Sequence, residues 1–170
     1  VLIKLRGKFV CGLNDILREI HSNLSGRKEN LVLEYECSET LETFSTSLRK
    51  NREKDIRTRI TNSGPHRDDL CFLIDKIDIR KYGSQGQQRT AALSLKLAEI
   101  EIVKRNVKDT PVLLLDDVLS ELDSSRQRYL LESIHHIQTM ITCTGIDDFV
   151  GYNFKINKLF QVIEGTVHEK

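Results

Sequence analysis

Apolar positions along this chain fall into separate periodic stretches, and each predicts one element. Val10, Leu13, Ile16, Leu17, Ile20 and Leu24 recur at helical spacing, so residues 1–25 form an amphipathic helix that stops near Gly26. Leu31, Leu33 and Tyr35 alternate with polar neighbours and predict a short strand. From about Glu39 to Ile60 the pattern turns helical and highly charged. Cys71 to Ile79 alternates enough for a strand or hairpin. The run Ala91, Ala92, Leu93, Leu95, Leu97, Ala98, Ile100, Ile102, Val103 is apolar on most sides and predicts a buried helix. Val112 to Leu115, four apolar residues after Pro111, read as a fully buried strand of the parallel kind. Ser124 to about His136 reads as a helix with Tyr129, Leu130, Leu131 and Ile134 inward. Thr139 to Thr144 reads as the next parallel strand, and the tail as two short strands around Lys155–Lys158 and Gly165.

Composition excludes several classes. The 26 basic and 25 acidic residues nearly cancel, so any nucleic-acid contact must come from a local patch. Cys11, Cys37, Cys71 and Cys143 lack Cys-x-x-Cys spacing, which argues against a zinc site or disulfide framework and fits a reducing cytoplasm. No stretch has the length and apolarity of a membrane span, and no signal peptide is recognisable. With 170 residues there is room for one domain or one and a half. Gly64-Pro65 breaks the chain and sets the expected boundary, giving segments 1–62 and 63–170. The chain opens at Val1 without an initiator methionine and is expected to be a piece of something longer.

Two motifs carry candidate chemistry. Ser84 and Gln87 have capping-box spacing at the head of the buried helix. A helix start presents unpaired N–H groups and the positive end of the dipole to an anion. Gly86 has no side chain to keep a phosphate away, and the Ser84 hydroxyl adds a donor. An ordinary N-cap beside a glycine has the same sequence, so this motif alone does not decide. The second motif, Asp116-Asp117, follows directly on the apolar strand, at the end where open α/β sheets bind ligands. Asp116 can hold magnesium, mostly through water, and Asp117 can orient or deprotonate an attacking water. An acid-rich capping turn is the rival. Both motifs in this order, separated by one helix, are hard to obtain by chance.

Smaller signals are weaker. Arg49, Lys50, Arg52, Lys54, Arg57 and Arg59 face only Glu53 and Asp55 in sequence, a basic surface that could neutralise DNA phosphates or simply a solvated helix. The charges ring the helix rather than forming a stripe. His66, Arg67, Asp68 and Asp69 follow Gly64-Pro65; adjacent residues in a turn rarely all aim at one metal, and Arg67 paired with a carboxylate is the blander expectation. His135 and His136 suit a helix C-terminus without any catalytic role. Gly7 and Gly12 have P-loop separation, but Leu13 and Asn14 stand where Lys and Ser or Thr are required. No other Gly-x-x-x-x-Gly-Lys-Ser/Thr run exists in the chain.

At these residues the sequence resembles a family. Ser84-Gln85-Gly86-Gln87 resembles the signature loop of ABC-type ATPases, Val112 to Asp117 their Walker B strand, and Ser120 to Asp123 their D-loop. Gly64 to Leu70, Gly83 to Leu97 and Leu113 to Asp123 resemble the RecF family of such ATPase heads, strongly over about residues 60–145. The resemblance implies an α/β fold: the C-terminal lobe of a P-loop (ABC-type) ATPase, with a mainly parallel sheet and flanking helices. A smaller, mixed, mostly helical N-terminal segment would precede it. It implies a DNA replication, recombinational repair and SOS-response protein in the cytoplasm, associated with the nucleoid. Such a protein dimerises on ATP, hydrolyses it slowly with Mg2+, and engages single-stranded and gapped or duplex DNA beside recombination mediators. Ser84, Gln85, Gly86 and Gln87 would reach a partner's nucleotide, Asp116 would organise magnesium, Asp117 would position water, and Ser120 and Asp123 would communicate across the dimer.

Two departures matter. Thr142, Cys143, Thr144 and Gly145 stand where a switch histidine is usual, and Thr144 is its candidate replacement. Asp117 stands where glutamate is common, consistent with slow turnover. Because the chain lacks a P-loop, tight nucleotide or magnesium binding by these residues alone is not expected. Three rivals remain: a transporter ATPase, an SMC- or Rad50-like head, and a non-catalytic DNA-binding or protein-docking module.

Overall fold

The computed structural model describes residues 1–144 and 156–170 and divides into two compact units, Val1–Thr110 and Pro111–Lys170. No helix among the described residues is long and apolar enough to cross a membrane.

The first unit is a long helix and a three-stranded antiparallel meander closed by a second long helix. Helix α1 (Leu2–Leu24) buries Val10, Leu13, Ile16, Leu17, His21 and Leu24, the stripe that the periodicity predicts. Its exit uses Gly26 at φ 65°, a left-handed value that suits glycine. Strand β1 (Leu31–Glu36) pairs antiparallel with β2 (Asp69–Ile74), Leu31 opposite Ile74, and β2 pairs with the short β3 (Ile77–Asp78). Helix α2 (Phe44–Thr58) lies between β1 and β2 in sequence and buries no residue. A helical turn α3 (Ile79–Tyr82) leads into α4 (Gln85–Val107), which buries Thr90, Ala91, Leu93, Ser94, Leu97, Ala98 and Ile100. Leu13, Leu17, Leu31, Leu33, Ile74, Ile79, Ala91 and Ala98 belong to one core cluster. Asn14 shows why the Gly7–Gly12 spacing is no P-loop. Its side chain donates to the Leu33 carbonyl at 2.7 Å and accepts from the Leu33 N–H at 2.8 Å, satisfying the edge of β1.

The expected boundary near residue 62 does not separate these compact units. The chain does turn at Gly64, whose φ of 138° favours glycine, but β1 and β2 on either side of that turn are partners in one sheet. The reason lies in a buried carboxylate. Asp68, 2% exposed at its side chain, accepts from Arg6 of α1 at 3.1 Å, from the Ser38 N–H at 2.9 Å and from the Tyr35 hydroxyl. The segment Gly64 to Leu70 is thus a clamp across this unit. Among the described residues Arg67 meets no carboxylate, contrary to expectation: its Nε donates to the Thr61 carbonyl at 3.1 Å, which the His66 ring also meets at 2.8 Å. No group of metal-ligating side chains is found among the described residues.

In the second unit, β4 (Leu113–Asp116) and β5 (Thr139–Thr142) pair in parallel, Asp116 opposite Thr142. The connection is a 3₁₀ turn (Leu119–Glu121) and helix α5 (Ser124–Ile134), which buries Leu130, Leu131 and Ile134. Among the described residues parallel pairing is confined to these two strands; the other described strands pair antiparallel. Strand β4 is not buried on both faces as its four apolar residues predict. Leu115 is buried, whereas Leu114 and its register partner Met140 are 70% and 67% exposed. The tail forms a hairpin, β6 (Phe160–Ile163) and β7 (Thr166–Glu169), turning at Gly165 and starting later than Lys155–Lys158. Lys155 lies outside the described residues.

Candidate functional site

The head of α4 is built as its sequence spacing predicts. Ser84 Oγ accepts from the Gln87 N–H at 3.2 Å, and Gln87 Oε1 accepts from the Ser84 N–H at 2.9 Å, a complete capping box. Ser84, Gln85 and Gly86 are exposed and Gln87 half-buried. The two glycines on either side of the cap serve different ends. A Cβ on Gly83 would lie 2.6 Å from the Ile79 carbonyl oxygen and 2.7 Å from the Ile79 Cβ, so packing within the chain demands glycine there. A Cβ on Gly86 would meet only Ser84 Oγ, at 3.9 Å. Among the described residues nothing nearby requires Gly86 to be bare; its bareness keeps the outer surface of the first helical turn open to another molecule.

Gly83→Ala is therefore expected to displace the chain just before Ser84, at a cost of about 1–3 kcal/mol for overpacking. Denaturant unfolding of the full-length protein measures the loss. Gly86→Ala, free of any clash, should leave stability unchanged or raise it by up to about 1 kcal/mol, as alanine is the better helix former.

The acidic turn of the second unit is organised by Thr142. Its hydroxyl donates to Asp116 Oδ1 and accepts from the Asp117 N–H at 3.0 Å, while the Thr142 carbonyl accepts from the same N–H at 3.2 Å. Asp117 takes φ 50°, a left-handed conformation that aspartate tolerates better than most residues, and its carbonyl accepts from the Ser120 hydroxyl at 2.8 Å. Asp116 and Asp117 are exposed at the carboxyl end of β4. One Asp116 oxygen is engaged by Thr142, and the exposed carboxylate suits a hydrated divalent cation. Asp123 caps α5, accepting from the Ser125 and Arg126 N–H groups at 3.1 and 3.0 Å and pairing with the Arg126 guanidinium. Those backbone bonds, with the nearby guanidinium, hold its carboxyl below the usual range despite desolvation.

Thr144 is exposed in a bend beyond β5, and Gly145 lies outside the described residues. Thr142, not Thr144, contacts the aspartates. The sequence places Thr142 only in the region of the missing switch histidine, where a threonine in an apolar strand reads as an ordinary β-former; the parallel register sets it opposite Asp116.

Helix α2 carries five of the six basic candidates, and Arg59 follows as its left-handed C-cap. All six are exposed. The charges are less evenly spread than the sequence implies. Phe44, Ser47, Leu48, Asn51 and Asp55 form the half-buried face, while Arg49, Lys50, Lys54 and Arg57 share roughly 140° of the outer face with Glu53. Arg52 flanks it.

The chain is 57% identical over 166 residues to the DNA replication and repair protein RecF of Agathobacter rectalis, a match covering 98% of this chain and 46% of the relative. It is 54% identical to the RecF of Lachnospira eligens, with the same coverage. The chain thus spans about half the length of the curated relatives it matches. Among solved structures it superposes on the recombination mediator protein RecF with ATPrS at a TM-score of 0.80 and 33% identity, covering 98% of this chain and 46% of that one. A structure concerning ATP-driven dimerisation and DNA-stimulated activation of SMC ATPases matches at TM-score 0.57 and 15% identity, covering 98% and 87%, a likeness of fold alone. No protein-family model matches.

Proposed function

With RecF similarity running through 98% of these residues, we propose that the chain is the C-terminal part of a RecF-family protein. The full-length protein is then an ATP-dependent DNA-binding ATPase of replication, recombinational repair and the SOS response. In this reading the α4 head serves a second copy's nucleotide, while the turn after β4 serves the nucleotide of its own subunit. The observation that carries it is the finished capping box beside a bare Gly86, a helix start suited to an anion that the described residues leave uncovered. Ser84, Gln85, Gly86 and Gln87 contact phosphate across the dimer. The P-loop, absent from these 170 residues, is assigned to the rest of the full-length protein.

On the cis side, Asp116 holds magnesium mostly through water, and the ion when bound neutralises phosphate charge. Asp117 orients the attacking water. Its left-handed backbone and its N–H bonds to Thr142 fix where its side chain starts. Ser120 and Asp123 lie on the turn that links this carboxylate pair to α5, the route assigned to communication across the dimer, and Thr144 remains the candidate at the switch position. The outer face of α2 supplies the local positive surface through which single-stranded or gapped DNA is held beside recombination mediators.

Sedimentation of the full-length protein tests this reading. A dimer that forms with ATP and dissociates as it is hydrolysed is the expected result; a mass indifferent to ATP overturns it. Asp117→Asn is expected to lower ATP turnover about 10²-fold while preserving the ATP-bound dimer, since it removes only the water-orienting carboxylate. Steady-state hydrolysis with DNA, beside sedimentation, checks both halves.

A further inference from the structure

A line of polar contacts runs inward from the α4 head. Gln87 Nε2 donates to Glu29 Oε1 at 3.0 Å; Glu29 Oε2 meets His21 Nε2 at 3.2 Å; His21 Nδ1 meets Ser94 Oγ at 3.0 Å. Ser94 Oγ donates to the Thr90 carbonyl at 2.7 Å, and Thr90 Oγ1 donates to the Gly86 carbonyl at 2.6 Å, returning to the helix start. His21 and Ser94 are fully buried where α1 packs on α4, and the Glu29 side chain is 22% exposed. His21 bridges Ser94 and Glu29 through its two ring nitrogens, whose donor and acceptor roles follow the ring's tautomer. The Glu29 carboxylate is thereby shared between two partners, one oxygen on the buried ring and the other on Gln87.

We propose that Glu29, backed by His21 and Ser94, is a positioning residue for the phosphate-facing turn of α4. This rests on the trans-nucleotide reading above. Gln87 has both ends of its amide fixed, Oε1 on the Ser84 N–H and Nε2 on Glu29. The side chain that closes the capping box therefore has its rotamer set before any nucleotide arrives. Ordering a long side chain at an interface otherwise opposes association, so a pre-set Gln87 lowers the ATP-bound dimer's dissociation constant. The anchor also ties the signature turn to α1 and to the loop before β1, so displacement of either element would be felt at Ser84.

The test uses full-length protein with four variants: Glu29→Ala, Glu29→Gln, Gln87→Ala and Glu29→Ala/Gln87→Ala. Glu29→Ala is expected to speed amide exchange about tenfold in the first turn of α4, and to raise the protein concentration needed for ATP-driven dimerisation by about as much. Monomer nucleotide binding should not change. Glu29→Gln should behave as wild type, because its carbonyl still accepts from Gln87 and its NH2 can face the His21 ring in place of the second carboxylate oxygen. In a Gln87→Ala background, Glu29→Ala should add little. Unchanged first-turn exchange in Glu29→Ala, equal damage from Glu29→Gln, or full additivity would each overturn the positioning role. Should Glu29→Ala fail to fold, Gln87→Ala and Glu29→Gln still decide between anchor and bystander. Ser84→Arg, run in parallel, separates the premises: dimerisation that survives it removes the trans-nucleotide reading, and the exchange data then judge the anchor alone.

Discussion

Ser84→Arg in the full-length protein is expected to abolish ATP-driven dimerisation while monomer nucleotide binding stays at the wild-type level. The substitution removes the cap acceptor, worth about 1 kcal/mol of local helix stability. It also places a long side chain where Ser84 and Gly86 now leave the helix start uncovered. Arginine makes the test severe, because its charge attracts phosphate; loss of the dimer would then report lost space and not lost attraction. Ser84→Ala separates the two effects. It keeps the opening but gives up one donor to a charged group, about 1.5–3 kcal/mol, so ATP-dependent association should weaken roughly 10- to 100-fold without disappearing. Sedimentation with ATP and equilibrium nucleotide titration give the readings. A Ser84→Arg protein that still dimerises on ATP would place the nucleotide contact elsewhere.

That prediction was open to sequence reasoning because the α4 head is local chemistry. Ser84 and Gln87 are three residues apart, and the capping box they make needs no information from the rest of the fold. The α1 stripe and the β4 strand are legible for the same reason: period and flanking breakers lie within one window. What escaped depends on pairings distant in sequence. The Arg6–Asp68 bond joins residues 62 positions apart, and His21–Ser94 joins residues 73 apart. Neither aspartate nor histidine carries a local mark that tells a buried partner from a solvated side chain. Thr142 becomes an organiser of the Asp116-Asp117 turn only through the strand register. The expected boundary near residue 62 rests on the same local logic. Gly64-Pro65 is a true turn, yet a turn separates compact units only when the strands beside it pair elsewhere, and here β1 and β2 pair with each other.

The same clamp gives the second large effect. Asp68→Ala should destabilise the full-length protein's C-terminal part by about 1.5–3 kcal/mol, the range for losing hydrogen bonds to a charged group. Arg6 is 41% exposed and Ser38 is exposed, so both regain water, and most of the loss belongs to the half-buried Tyr35 hydroxyl. Asp68→Asn keeps one acceptor oxygen and should lose about half as much. The pH dependence follows from the direction of the shift. Burial by itself would push the Asp68 pKa up, but the bonds from Tyr35, Ser38 and Arg6 outweigh it and hold the carboxyl below its ordinary value. A depressed folded-state pKa means stability that is whole above the unfolded value, about 3.9, and drains away as pH falls through the folded one. Denaturant midpoints between neutral pH and strong acid should therefore fall in wild type, with the part of that slope due to Asp68 missing in Asp68→Asn. Equal acid slopes in the two proteins would mean that the buried carboxylate is not what joins α1, β1 and the Gly64 turn.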